Sequence, residues 1–141
     1  MRPMTPDETR AFVLAGTRTG KLAWVGRDGR PHVAPIWFLL DGDDYLFNTH
    51  QDSGKGRALS REPRVSLAID DEAAPYGFVK VDGTVSLSDD LALVRRWATA
   101  IGGRYMGQDR AEEFGARNGV PGELLVRLTP SKITAVADLA S

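Results

Sequence analysis

Most apolar residues of the chain fall in short runs that alternate with polar ones and are bounded by Gly, Asp or Pro, the rhythm of strands; a few segments break it with helical spacing or capping signals. Leu22–Val25 and His32–Leu40 flank Arg27-Asp28-Gly29-Arg30, whose Asp-Gly pair suits the positive backbone angles of a tight hairpin. Asp41–Asp44 makes a second turn ahead of Tyr45–Thr49, so three consecutive strands predict an antiparallel meander. Arg64–Ile69 and Phe78–Leu87 alternate as well; Val79, Val81, Gly83, Val85 and Leu87 share one face, with a bulge expected at Gly83. Leu124–Leu128 and Ile133–Ala137, separated by Thr129-Pro130-Ser131-Lys132, supply two last strands.

Four helices interrupt this pattern. Thr5 caps a first helix with Pro6 at its first position and Asp7 and Glu8 in its first turn, running to Leu14. A second, short one covers Ser53–Arg61 and halts near Pro63. Ser88-Asp89-Asp90 caps a longer one in which Leu91, Val94, Trp97, Ala98 and Ile101 recur at helical spacing, with Gly102-Gly103 as its predicted end. Asp109–Arg117 forms the fourth. Seven or so short strands with helices inserted among them predict a small antiparallel barrel, occupying residues 1–141 as one domain. A barrel of this size is filled by its own side chains, so a large ligand has to lie outside it or against a partner subunit, and a homodimer is expected.

Composition narrows the chemistry. The 141 residues include 18 Lys and Arg against 19 Asp and Glu, a net charge of −1, which gives no polybasic surface for nucleic acid. The longest apolar run, Val33–Leu40, has eight residues and contains Pro35, too short to span a bilayer. The amino terminus lacks the apolar stretch of a secretory signal, so a cytoplasmic protein is expected, binding neither membrane nor nucleic acid. Without Cys and with only His32 and His50, the chain has no thiolate nucleophile and no three-His or Cys/His metal site; no metal is expected. No Gly-x-Ser-x-Gly elbow accompanies either His. The carboxylate runs Asp70-Asp71-Glu72 and Asp89-Asp90 sit at element ends, where turn and capping roles predominate.

Two segments carry candidate chemistry. In Asn48–Arg57 a strand ends in Asn48-Thr49 and a helix begins Ser53-Gly54-Lys55-Gly56-Arg57. Free amides at a helix start, glycines that permit close approach, a hydroxyl and two cations suit a phosphate, the other reading being a solvated basic helix with a glycine-softened start. It is not a Walker A loop, because Thr49 stands where that motif needs Gly and Gly56 follows Lys55. The second segment, His32-Val33-Ala34-Pro35-Ile36-Trp37, is an apolar strand interrupted by a residue with no N–H to donate, which favours an edge. Such an edge offers backbone groups to a planar heterocycle; the plainer reading makes Ile36 and Trp37 core fillers and His32 a surface hairpin residue.

The run His32–Trp37, then Asn48-Thr49, Ser53-Gly54-Lys55-Gly56-Arg57-Ala58-Leu59 with Pro63 following, and Phe78–Gly83 resembles the flavin/deazaflavin split-barrel oxidoreductases, the pyridoxamine 5'-phosphate oxidase-like family. Arg104-Tyr105-Met106-Gly107 and Pro121–Val126 resemble its actinobacterial branch that uses coenzyme F420. The resemblance implies a dimeric split barrel of six to seven antiparallel strands with the cofactor along the subunit interface. Thr49, Ser53, Lys55 and Arg57, with Asn48 and Gly56 beside them, would hold the phosphate. The strand His32, Val33, Ala34, Pro35, Ile36 and Trp37 would run beside the tricyclic ring, with Phe78 near it.

Phe78 stands where flavin-using members often have a ring-contacting Gln, and Gly54 where they commonly have an Arg; both weaken the expectation of tight FMN. The chain ends at Ala135–Ser141 without the Trp- and Arg-rich segment of vitamin B6 oxidases, so that activity is not expected. The implied function is hydride transfer from reduced F420 to a small unsaturated or quinone-like molecule, with an FMN enzyme or a non-catalytic cofactor carrier as the other readings. No catalytic side chain is identified. Trp24, Trp37, Tyr76, Trp97 and Tyr105 are candidate substrate walls, and Arg104 and Tyr105 either contribute to the site or pack a helix end.

Overall fold

The computed structural model describes residues 1–141. The strands are β1 (Arg2–Pro3), β2 (Gly20–Val25), β3 (Pro31–Ile36), β4 (Leu39–Asp41), β5 (Asp44–His50), β6 (Arg64–Asp71), β7 (Gly77–Ser88) and β8 (Glu123–Ala137); the helices are α1 (Pro6–Leu14), α2 (Gly54–Arg61), α3 (Leu91–Met106) and α4 (Ala111–Asn118). All strand pairs are antiparallel, in the order β3-β2-β6-β7-β8-β5-β4, with β1 added to β8. Inward-facing residues of both ends of this path, among them Leu22, Ile36, Phe47, Leu67, Val81 and Leu128, form one buried core. α2 lies against β2 and β5, strands from opposite halves of the path, and so spans the opening between them. A second cluster, Leu46, Val94 and Leu125 with Trp97, seats α3 on the outer side of β5 and β8. No helix is long and apolar enough to cross a membrane.

Local signals produced what they predict. Thr5 and Glu8 form a reciprocal capping box at α1, with the Glu8 amide donating to Thr5 Oγ1 at 3.2 Å and the Thr5 amide to Glu8 Oε1 at 3.3 Å. Asp90 Oδ1 accepts from the Ala92 and Leu93 amides at the start of α3. Asp28-Gly29 turns β2 into β3, Gly29 at φ 83°. The β4–β5 hairpin is locked by Arg127, whose guanidinium forks between Asp41 Oδ2 at 2.8 Å and Asp44 Oδ2 at 2.9 Å.

Four expectations fail, each through a contact distant in sequence. His32–Leu40 is not one strand: it leaves the ladder at Trp37-Phe38, and its halves, β3 and β4, lie at opposite ends of the sheet path. The expected meander is therefore broken, since β3 pairs only with β2 and β4 only with β5. The two last strands are one continuous β8, because Pro130-Ser131 is absorbed as a bulge opposite Asp82 and Gly83. The bulge expected at Gly83 is present there, and a Cβ at Gly83 would overlap the Thr129 carbonyl oxygen. Finally, α3 continues through Gly102-Gly103 to Met106. A Cβ at Gly102 would overlap the Phe114 side chain, so this glycine lets α4 approach rather than ending the helix.

Candidate functional site

At the end of β5 the chain turns into α2, and the turn is organised by one hydroxyl. Ser53 Oγ donates to the His50 carbonyl at 2.7 Å, accepts from the Gly56 amide at 2.9 Å, and lies 3.2 Å from Thr49 Oγ1. Ser53 is thus the N-cap of α2, and the amides of Gly54 and Lys55 precede the first intrahelical bond, which the Arg57 amide makes to the Ser53 carbonyl. Gly56 is required sterically, because a Cβ there would overlap the His50 carbonyl oxygen, whereas Gly54 faces open space.

The two cations of this turn are unequal. Lys55 is half-buried, with Nζ 6.0 Å from the centroid of the Phe47 ring, and makes no ion pair. Burial lowers its pKa from the ordinary lysine value, and the Glu123 carboxylate opposes that shift. Glu123 sits across from His50 in the β5–β8 register; burial raises its own pKa, opposed by His50 and Lys55. Arg57 is exposed and also unpaired. Two residues apart on a helix they project roughly 200° from each other, so they flank the helix start instead of lying side by side. The amides of Gly54 and Lys55 with the Lys55 and Arg57 cations are the groups here that could hold the phosphate of a cofactor; a solvated basic helix start uses the same residues, and the Ser53 hydroxyl proton is spent on the His50 carbonyl.

Asn48 does not join this cluster. Side chains alternate along β5, so Tyr45, Phe47 and Thr49 face the barrel interior while Leu46 and Asn48 face α3. Asn48 Nδ2 is buried there without a hydrogen-bond partner.

The His32–Trp37 segment also divides by face. Ala34 opposes Leu22, which opposes Leu67, placing Ala34 on the interior side, where Ile36 joins the core as the plainer reading expects. Val33 and Pro35 face outward, on the side of the sheet that carries Phe78 and Lys80. Pro35 sits on the edge strand, where its missing N–H breaks no ladder bond. Val33 is 68% exposed, and His32 stacks on its cross-strand neighbour Trp24 at 5.6 Å. Trp37, in contrast, is not a core filler: it is 37% exposed and lies flat on Tyr105, with ring centroids 5.0 Å apart and planes within 4°, beside Phe114 at 6.0 Å. Of the five candidate aromatic walls, only Trp37 and Tyr105 meet; Trp97 packs on the α3 cluster, and Tyr76 stands 45% exposed.

Arg104 and Tyr105 hold the point where the β3–β4 segment changes ends of the sheet. The Tyr105 hydroxyl accepts from the Phe38 amide, and Arg104 Nη1 donates to the Phe38 carbonyl at 2.7 Å. Arg104 also donates to Val13 O at 2.9 Å and Gly16 O at 3.1 Å, supplying the positive charge that the last turn of α1 lacks. Their helix-end role is therefore the observed one. Burial raises the Tyr105 pKa and its proton is given to the Arg18 carbonyl at 2.8 Å, so it is no proton donor for a substrate. No local sequence pattern points to Glu123, because its coupling to Lys55 depends on the β5–β8 register.

A family model described as pyridoxamine 5'-phosphate oxidase matches residues 5–137. A conserved hypothetical protein from Mycobacterium tuberculosis is similar in structure, with TM-score 0.83 and 25% identity over 94% of this chain and 84% of its own. An F420 reductase has TM-score 0.70 and 24% identity over 89% of this chain and 96% of its own. The heme storage protein HutZ from Vibrio cholerae has TM-score 0.74 and 22% identity over the whole of both chains.

Proposed function

The chain belongs to the pyridoxamine 5'-phosphate oxidase family, and from that premise we propose that it is an F420-dependent oxidoreductase, passing a hydride between the reduced deazaflavin and a small unsaturated or quinone-like substrate. The observation that carries this reading is the half-buried, unpaired Lys55 beside the Thr49–Ser53 hydroxyl pair. Lys55, Arg57 and the first amides of α2 bind the acidic tail, while the exposed edge of β3 with Trp37 borders the ring. When bound, reduced F420 supplies the hydride from ring carbon 5, leaving the protein to orient and desolvate the reacting pair. Trp37, backed by Tyr105, offers a flat face for the substrate.

The uncovered outward face of the sheet, with Val33, Pro35 and Phe78, supports a homodimer in which a partner subunit completes the site; sedimentation equilibrium tests it. Titration with oxidised and reduced F420, followed by cofactor fluorescence, tests the main proposal: saturable binding is expected, and its absence overturns the reading. FMN is the second reading, since the same turn suits its phosphate; protein that purifies yellow and releases FMN on denaturation establishes it in place of F420. The committed Tyr105 proton favours a third, a non-catalytic carrier. Single-turnover mixing of the reduced complex with enones and quinones separates carrier from enzyme, because a carrier gives no oxidation above the free-cofactor rate.

A further inference from the structure

We propose that the cavity between α1, the β4–β5 hairpin and the bulged part of β8 is a second small-molecule site, which takes an uncharged, largely apolar molecule bearing a carbonyl-type oxygen. The cavity measures about 730 Å³ and is lined by none of Thr49, Ser53, Lys55 or Arg57, so it stands apart from the cofactor turn. That volume lies within the ordinary range for small-molecule sites.

Its chemistry follows from one residue. Tyr45 lines the cavity and is 3% exposed, its ring packed into the core and tilted against Phe38 at 5.6 Å. Its hydroxyl makes no hydrogen bond within the chain and, unlike Asn48 Nδ2, is not sealed from solvent, so it opens into the cavity with its proton uncommitted. Burial and the Asp43 carboxylate push the Tyr45 pKa up to about 12, so the hydroxyl keeps its proton at neutral pH and is a donor in search of an acceptor. Around it the wall is mixed: Met4, Pro6, Leu40 and the 44% exposed Ile133 supply an apolar side, and Thr9 and Thr129 lie among the polar remainder. Asp43, Asp44 and Arg10 line the same cavity; Asp44 is paired with Arg127 at 2.9 Å, which leaves Asp43 and Arg10 with opposite charges, Arg10 being engaged with the Gly42 carbonyl at 2.8 Å. A net-charged ligand meets repulsion from one of the two; a neutral one that accepts from Tyr45 meets none.

Acetophenone supplies a carbonyl on an apolar ring, and ethylbenzene is its match without the acceptor. Titrated into isotopically labelled protein, acetophenone is expected to shift the amide resonances of Thr9, Gly42 and Asp43 saturably. Tyr45→Phe is expected to weaken acetophenone roughly three- to tenfold, the worth of one neutral hydrogen bond, while leaving ethylbenzene unchanged. Because the hydroxyl has no internal partner, this variant should melt no lower than the wild type. Ile133→Asp, at an exposed wall position, should abolish binding of both. Shifts that fail to saturate or map elsewhere, acetophenone binding indifferent to Tyr45→Phe, or a clear fall in its melting temperature overturns the proposal.

Discussion

The Phe38 amide donates to the Tyr105 hydroxyl at 3.3 Å, and that hydroxyl donates in turn to the Arg18 carbonyl at 2.8 Å. One phenol thereby ties together the strand crossing at Trp37-Phe38, the approach to β2 and the end of α3. Tyr105→Phe leaves a donor and an acceptor without their partner and should destabilise the protein by about 2 kcal/mol, read from urea denaturation. Any turnover should keep the wild-type pH profile. An altered profile would show that the phenol exchanges its proton with substrate after all.

Arg104 serves three carbonyls, those of Val13, Gly16 and Phe38, with its guanidinium 4.7 Å from the Phe38 ring centroid. Arg104→Met should cost about 3 kcal/mol, the scale of charge-assisted bonds. Arg104→Lys should recover less than half of the loss, because a single ammonium does not reproduce the planar fork. Equal stability of the two variants would place the effect in packing and not in the carbonyl contacts.

Lys55→Ala or Arg57→Ala should weaken cofactor binding by roughly 1.5–3 kcal/mol, with the larger loss at the less solvated Lys55 and little change in the melting temperature. Unchanged affinity in both variants, measured by the same fluorescence titration, would mean that the turn does not hold the anion.

The glycines of α2 should respond in opposite senses. Gly54→Ala enters open space and replaces a poor helix former, so stability should rise by up to about 1 kcal/mol. Gly56→Ala drives a methyl into the His50 carbonyl and should displace the start of α2, lowering stability by about 2 kcal/mol or more and weakening cofactor binding with it. Thermal melts of the two variants decide the matter.

Glu123 gives a pH dependence of definite sign. Its folded pKa is raised by burial, so ionising it costs the native state stability above that pKa and nothing once the pH falls below the unfolded value of about 4.3. Glu123→Gln should therefore be more stable than the wild type at neutral pH, with the difference closing as the solution is acidified. Lys55 has a lowered pKa, so anion affinity should be lost on raising the pH earlier than an ordinary lysine would allow. A stability difference that widens in acid would contradict the assignment at Glu123.

What the amino-acid order determined by itself is whatever a few neighbouring residues decide: the Thr5–Glu8 capping box, the Asp28-Gly29 hairpin, the Ser53 cap that starts α2, and the alternation that marks β6 and β7. These depend on backbone geometry and hydrogen bonds within a turn or two, so local pattern suffices. Only the tertiary structure decided that Trp37-Phe38 breaks a continuous apolar run, that Pro130-Ser131 is a bulge inside β8, and that Gly102-Gly103 lies within α3. Each depends on a partner far along the chain: Arg104 and Tyr105 for the Phe38 backbone, Gly83 for the bulge, Phe114 for the glycine pair. The same division holds for the site, where Ser53 and Lys55 were legible as a local motif, whereas the separation of Asn48 from Thr49 and the approach of Glu123 to Lys55 followed from pleat and register, which only the assembled sheet defines.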